Sequence, residues 1–289
     1  MKLTTKFNLV LLSVFTIGLI VVGYVSHYVL QNNARQEVIR HAGMMMEAAL
    51  AMRSYTIKEI RPLLKDGMQQ QFLPQSVPSY AATQNFEALR ESRPDYHYKE
   101  ATLNPTNPRD RATDWETDII NAFRDSGELP ELVGERNTPN GRSLYLARPI
   151  RIKNESCLAC HSTLDKAPAS MIKLYGEANG FGWQFGEVVG SQIVSVPLSL
   201  PIEKANQAFI IFMGSMLATF ALIFLLLNIM LRKVVIKPIL KISHIADEAS
   251  KGNTDIAEFN IKAKDEISDL ARAFNRMRIS LEKAMKMLS

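Results

Sequence analysis

Two cysteines and five histidines occur in the 289 residues of the chain, and three of those seven side chains fall together. Residues 155 to 162 read ESCLACHS, so Cys157 and Cys160 stand three positions apart with His161 directly behind the second. Random placement would give this order about once in 10⁴ chains, and the order is the c-type haem attachment pattern. Two other chemistries use the same thiols: oxidation to a disulfide, and half of a zinc site. Haem attachment accounts for all three residues. One turn of chain brings two thiols to the two vinyl groups on one porphyrin edge, and the histidine beside the second thioether is carried under the iron as proximal ligand. Structural zinc usually takes four Cys or His ligands and the chain has no third cysteine, so zinc is the poorer fit. One covalent haem c is therefore expected, held by Cys157 and Cys160 and ligated by His161, with a disulfide as the alternative.

That reading depends on which side of a membrane the motif lies. From Phe7 to Leu30 and from Ala208 to Leu231 the chain carries no Lys, Arg, Asp or Glu, and each stretch exceeds the roughly 20 apolar residues that cross a bilayer. The first is too long for the h-region of a cleaved signal peptide, about 7 to 15 residues, and no clear small-x-small site follows it. Lys2 and Lys6 precede the first span, and Arg232, Lys233 and Lys237 follow the second. The positive-inside rule then puts both chain ends in the cytoplasm and the cysteines outside. The expected division is 1–30 for the N-terminus and first span, 31–206 for the external domain, 207–231 for the second span and 232–289 for a cytoplasmic segment. Part of the net charge of +5 is juxtamembrane and serves topology and anionic headgroups. No basic and aromatic interleaving marks a nucleic-acid surface.

Candidates for the sixth iron ligand are the external Met and His residues: His41, Met44, Met45, Met46, Met52, Met68, His97 and Met171. His41, Met45 and Met52 share a helix face, so Met45 is the first choice, with Met52, Met46 and His41 behind it. Core packing is the competing explanation for methionines at helical spacing. Arg148 and Arg151, with Lys153 beside them, are candidates to neutralise the haem propionates, unless they form a solvated basic edge.

The elements that must position these residues read as follows. Val38, Ala42, Met45, Ala49 and Met52 recur at three- and four-residue steps, predicting a helix over about 33–65 that continues from the first span and stops near Arg61-Pro62. The stretch DGMQQQFLPQSVPS is a connector, followed by a short helix over 85–91, an extended YHYKEATL and a helix over 115–124. ELVGER and RSLYLARPI flank TPNG, where Asn140-Gly141 signals a hairpin. After the cysteines come the Gly-rich GEANGFGWQFGE and an extended VVGSQIVSVPL. Helices beside antiparallel strands make an α+β external domain.

The runs AALAMRSYTIKEIRPLL, DYHYKEATLNPTNPRDRATDWETDIINAF, the Cys-x-x-Cys-His motif and GFGWQFGEVVGSQIVSVP together resemble the bacterial PAS-like c-type haem sensor domain, over nearly all of residues 31 to 206. The resemblance implies a long N-terminal helix against a twisted antiparallel sheet, a haem on Cys157, Cys160 and His161, and a multi-pass protein of the bacterial inner (cell) membrane with a periplasmic or extracellular sensor.

Beyond the second span, Ile267, Leu270, Phe274, Met277, Leu281, Ala284 and Leu288 alternate steps of three and four, and Val235, Ile239, Ile242, Ala246 and Ala249 form a shorter seam. A connector containing Gly252, Ile256 and Ile261 joins them. One narrow stripe per helix calls for a four-helix bundle from two chains. Pro238, Asp265-Glu266-Ile267 and Phe274-Asn275 make the segment similar to the HAMP signalling linker, a helical coiled coil, over 232 to about 285. His244 reads as a helix-surface residue.

Three functions follow. The first is a non-enzymatic transmembrane sensor, its haem responding to redox state or a small gas and its HAMP homodimer signalling to a separate cytoplasmic kinase or chemotaxis protein. The second is a membrane-anchored c-type cytochrome for electron transfer, and the third a structural protein with a disulfide. The HAMP-like segment favours the first, because an electron carrier needs no bistable linker.

Overall fold

A computed structural model describes residues 1–251, Asn253 and 265–288. They form two compact units, His27–Ala208, and Met1–Ser26 with Phe209 onward. The first is an α+β domain built on a four-stranded antiparallel sheet.

Helix α1 spans Leu3–Tyr55. A π-helical segment, Thr56–Ile60, leads into the short α2, Arg61–Leu64, so the helical path runs through Pro62 rather than stopping there. Proline has no N–H for the carbonyl four residues back, and its ring crowds that carbonyl. A wider turn just before it relieves both problems. The same solution recurs at Pro238, which a π-helical segment over Leu231–Ile236 precedes.

The predicted connector also holds more helix than its composition suggests: α3, Gly67–Gln70, and then α4, Pro78–Ser92, which starts seven residues before the expected helix. Pro78 sits in its first turn, where the missing N–H costs nothing. Strand β1 is His97–Thr102. Helix α5, Asp114–Ser126, opens on a capping box between Thr113 and Glu116.

Strands β2, Leu132–Thr138, and β3, Gly141–Arg151, form the predicted hairpin, with Thr138 opposite Gly141. The two loop residues are thus Pro139 and Asn140, one position earlier than the Asn-Gly signal suggests. Pro139 has the φ that an ordinary turn wants at its first central position, and Gly141 takes the positive φ, +107°. Helices α6, Leu158–His161, and α7, Ala169–Tyr175, follow, then β4, Val188–Pro197. The strand order is β1-β4-β3-β2, so the last strand of the domain is central, and its burial along almost its whole length follows from that position.

Strand alternation divides the core into two layers. On one face, Tyr98, Leu144, Leu146, Val194 and Val196 meet Val38, Ala42, Met46 and Ala49 of α1. The fully buried methionine is therefore Met46. Met45 and Met52 lie half-buried against the same cluster, and His41 is half-buried too. The inward stripe keeps Val38, Ala42 and Ala49 as predicted, but Met46 rather than Met45 is the fully enclosed methionine, because alanines at 42 and 49 let the helix approach and Met46 fills the space between them. This layer also holds a buried polar chain. Arg53 pairs with Glu100, Tyr98 donates to Glu100 at 2.8 Å, and Gln192 donates to the Tyr98 hydroxyl at 3.1 Å. On the other face, Ile119, Ile120 and Phe123 of α5 cover Ala101, Ala147, Val188 and Ile193.

In the second unit, α8 spans Ser199–Met230, most of it here, and the rings of Phe15 and Phe220 stack at 4.7 Å. Among the described residues, two helical runs, Leu3–Leu64 and Ser199–Ser250, are long and apolar enough to cross a membrane, and their apolar windows are almost entirely unburied. Helices α9, Lys237–Ser250, and α10, Glu266–Leu288, pack through Ile242, Ile245, Ala271 and Phe274, with Ala246 and Ile267 against them. Asp265 caps α10, its carboxylate accepting from the N–H and the hydroxyl of Ser268 at 2.9 and 2.8 Å. The predicted connector residues Gly252, Ile256 and Ile261, and the side chains of Ala284 and Leu288, lie outside what is described.

Candidate haem-attachment site

The cysteine motif sits on an excursion of the chain between β3 and β4 that closes on itself. Ile152 N–H donates to Glu187 O at 2.9 Å, and Gly186 N–H returns to Ile152 O at 2.8 Å. Within the excursion, the Asn154 side chain accepts from Ser156 N–H at 2.9 Å and starts a helical turn that runs through Cys157 into α6. A spacing of three on such a turn puts Cys157 and Cys160 on one face. Both are half-buried and neither is in a disulfide. Among the described residues no group of three or more His, Cys, Asp or Glu is arranged to hold a metal ion, so the further ligands of a tetrahedral zinc site are not assembled here.

His161 is held from two sides. Its Nδ1 lies 2.8 Å from Gly180 O, and its ring stacks on Trp183 at 4.0 Å and 14°. A carbonyl only accepts, so Nδ1 carries the proton and Nε2 keeps its lone pair, the tautomer a metal-ligating imidazole needs. Burial pushes the His161 pKa down, against the opposing bond to Gly180, so the ring is neutral at neutral pH. Burial also pushes the Cys160 thiol up, while the nearby charge of Arg61 pulls it the other way. The charge of Arg53 in turn feels Cys157.

The Gly-rich return strand makes the support possible. Gly182 N–H donates to Ser162 O at 2.7 Å and Trp183 N–H to His161 O at 3.1 Å, so residues 180–183 run alongside the motif. Asn104 clamps that run, accepting from Gly180 N–H and donating to Phe181 O, both at 3.1 Å. Gly180 has φ +89°, and a Cβ there would collide with Thr106 Oγ1. Only glycine presents its carbonyl to His161 at that point.

The remaining predicted residues are placed as follows. Arg148 is ion-paired with Glu47 at 2.7 Å and Glu131 at 2.8 Å. Arg151 donates to Gly186 O at 2.8 Å and Gly127 O at 2.7 Å. Both guanidinium groups are therefore already engaged within the domain. Met44 is exposed, Met171 is buried, the Met68 sulfur accepts from Leu73 N–H and the Ser76 hydroxyl, and His97 lies exposed at the start of β1. Asn104, Thr106, Gly180 and Trp183 were not singled out by sequence reasoning. The Asn179-Gly180 dipeptide marks a turn, but nothing in it says which side chain its carbonyl will meet.

Residues 31–197 match the sequence profile of the Tll0287-like family, and residues 230–283 match the HAMP domain. Among solved structures, the crystal structure of the cyanobacterial heme-protein Tll0287 aligns over 56% of this chain and 95% of its own, at 18% identity and a TM-score of 0.44. No curated protein matches the chain.

Proposed function

Because the chain belongs to the Tll0287-like family and a HAMP domain follows, we propose that it is a non-enzymatic membrane sensor that holds one covalent c-type haem outside the cell membrane and reports redox state or a small gas to a cytoplasmic partner. The observation that carries this reading is the neutral His161, its Nδ1–H given to Gly180 O and its Nε2 open, one residue beyond two free thiols on a single turn. The donor set fits a haem: Cys157 and Cys160 would take its vinyl carbons and His161 its iron. Bound there, haem supplies a one-electron couple and a site where diatomic gases compete for the sixth position.

The chain's own residues do the rest. Gly180 and Trp183 hold the imidazole plane and tautomer, and Asn104 holds Gly180 and Phe181. For the sixth ligand, Met45 and Met52, both half-buried against the sheet layer, are the candidates. Met46 is enclosed in the aliphatic layer, and His41 lies three turns before Met52. The two apolar helices serve as membrane spans, and α9 and α10 as half of a homodimeric HAMP bundle. The HAMP match also favours signalling over the rival role of an anchored electron carrier.

The test is expression in cells competent in cytochrome c maturation. Haem should stay on the chain in a denaturing gel and be lost in the Cys157→Ser, Cys160→Ser double variant, and the reduced spectrum should change in Met45→Ala or in Met52→Ala. A mass equal to the bare polypeptide would overturn the covalent attachment, and an unchanged spectrum in either variant would remove that methionine as ligand.

A further inference from the structure

A cavity of about 440 Å³ lies on the sheet face that carries Ile193 and Ser195, bordered by α4, by the loop before α5 and by β2. Its size is that of a small-molecule pocket. Part of its wall is apolar, from Trp115, Ile193 and Pro197, and the rest is charged.

The charges are nearly balanced in number but unevenly paired. Lys99 is paired with Glu116 at 2.7 Å, Arg109 lies 3.4 Å from Asp110 and 3.8 Å from Glu87, and Arg142 is paired with Glu135. Among the described residues no ion pair engages Arg90 or Arg136. Arg136 instead sits over Trp115, its guanidinium carbon 4.0 Å from the ring centroid, a cation–π contact that does not use up its N–H donors. Partial desolvation lowers the pKa of the His97 imidazole, Arg90 and Arg136 lower it further, and Asp95 opposes them; all four residues line the cavity.

We propose that this cavity is a second ligand site, which takes a small organic acid with its carboxylate received by Arg90 and Arg136 and its carbon skeleton against Trp115 and Ile193. A carboxylate fits better than a phosphate. Glu87, Asp95 and Asp110 also line the cavity and repel a dianion more than a monoanion, and the apolar wall has no use in holding inorganic phosphate.

The test is calorimetric titration of the full chain in detergent with acetate, benzoate and butyrate, with benzamide as the uncharged counterpart of benzoate and with inorganic phosphate. At least one carboxylate should bind, benzamide should not, and phosphate should bind more weakly. Arg136→Gln and Arg90→Gln should each weaken that binding about tenfold or more, as loss of a charge-assisted hydrogen bond does. Arg90 is exposed at the end of α4, so its substitution leaves the packing intact even where Arg136→Gln disturbs the fold. Failure of all three acids, equal binding of benzamide and benzoate, tighter binding of phosphate, or wild-type affinity in Arg90→Gln would each overturn the assignment.

Discussion

Two stretches of the chain place apolar residues at steps of three and four, and the fold treats them differently. Along α1, Val38, Ala42, Met46 and Ala49 are all fully buried against the sheet. Along α10 the stripe divides: Phe274 is covered by α9, while Leu270, Met277 and Leu281 remain 48%, 60% and 45% exposed. A four-stranded sheet offers a surface wide enough to cover a helix stripe. One partner helix covers only part of it, which leaves Leu270, Met277 and Leu281 uncovered. The sheet domain thus completes its core within one chain, whereas α9 and α10 leave an apolar stripe open.

The strongest way to break the closed side of this comparison is to remove Arg53. Glu100 is 4% exposed and would keep a buried carboxylate with only the Tyr98 hydroxyl to meet it. Arg53→Met should cost about 3–5 kcal/mol, and adding Glu100→Gln should restore part of it. Both tryptophans, Trp115 and Trp183, lie in the sheet domain, so the midpoint of fluorescence-detected denaturation reads this region alone. A midpoint unmoved by Arg53→Met would mean that the pair contributes nothing.

A smaller effect is expected at Gly180. Gly180→Ala forces a side chain into a positive φ and onto Thr106, a strain of about 1–3 kcal/mol. Its signature is local, since the carbonyl that orients His161 must shift. Haem-loaded protein should show an altered low-spin spectrum at nearly full secondary structure; a wild-type spectrum would remove Gly180 as a positioning residue.

On the open side, cysteines introduced singly at Leu281 and at Arg276 in a Cys157→Ser, Cys160→Ser background should crosslink at different rates in membranes. Leu281 lies on the exposed stripe and should form dimers several-fold faster. Equal rates would argue that the stripe is not a seam between chains.

The least effect expected is in pH dependence, where the two regions should differ in sign. Burial, first among its causes, raises the Asp110 carboxyl from 3.8 to about 6. Its native pKa exceeds its unfolded one, so its contribution to stability is present below about pH 4 and is lost as pH rises towards 6. Asp110→Asn should flatten that fall in the fluorescence midpoint. Asp265 is the reverse case. The Ser268 N–H and hydroxyl lower its pKa, so its capping of α10 is present above the unfolded value and lost in acid. Helicity of α10 should therefore weaken on acidification in the wild type and lose that dependence in Asp265→Asn.

Much of the fold was legible because it rests on local pattern. The two long apolar helices declare themselves by the absence of charge, β2 and β3 by alternation about a turn, and the HAMP segment by Pro238 and the acidic opening at Asp265, while the reading of Cys157, Cys160 and His161 as a haem site rests on their spacing. These depend on residues a few positions apart, where covalent geometry fixes what can lie together. The helix beyond Pro62 was not legible, because whether a proline ends a helix or is absorbed by a π-turn depends on what the next turn packs against. Nor was the full enclosure of Met46 rather than Met45, since both fit the 3.6-residue period and the depth of the sheet surface chooses between them. The hold of Gly180 and Asn104 on His161 and the meeting of Arg90, Arg109 and Arg136 around one cavity join positions 19 to 76 residues apart in the first case and three separate elements in the second. Contacts at that range are set by the sheet order β1-β4-β3-β2, which brings the last strand to the centre and with it the segments that no local pattern relates.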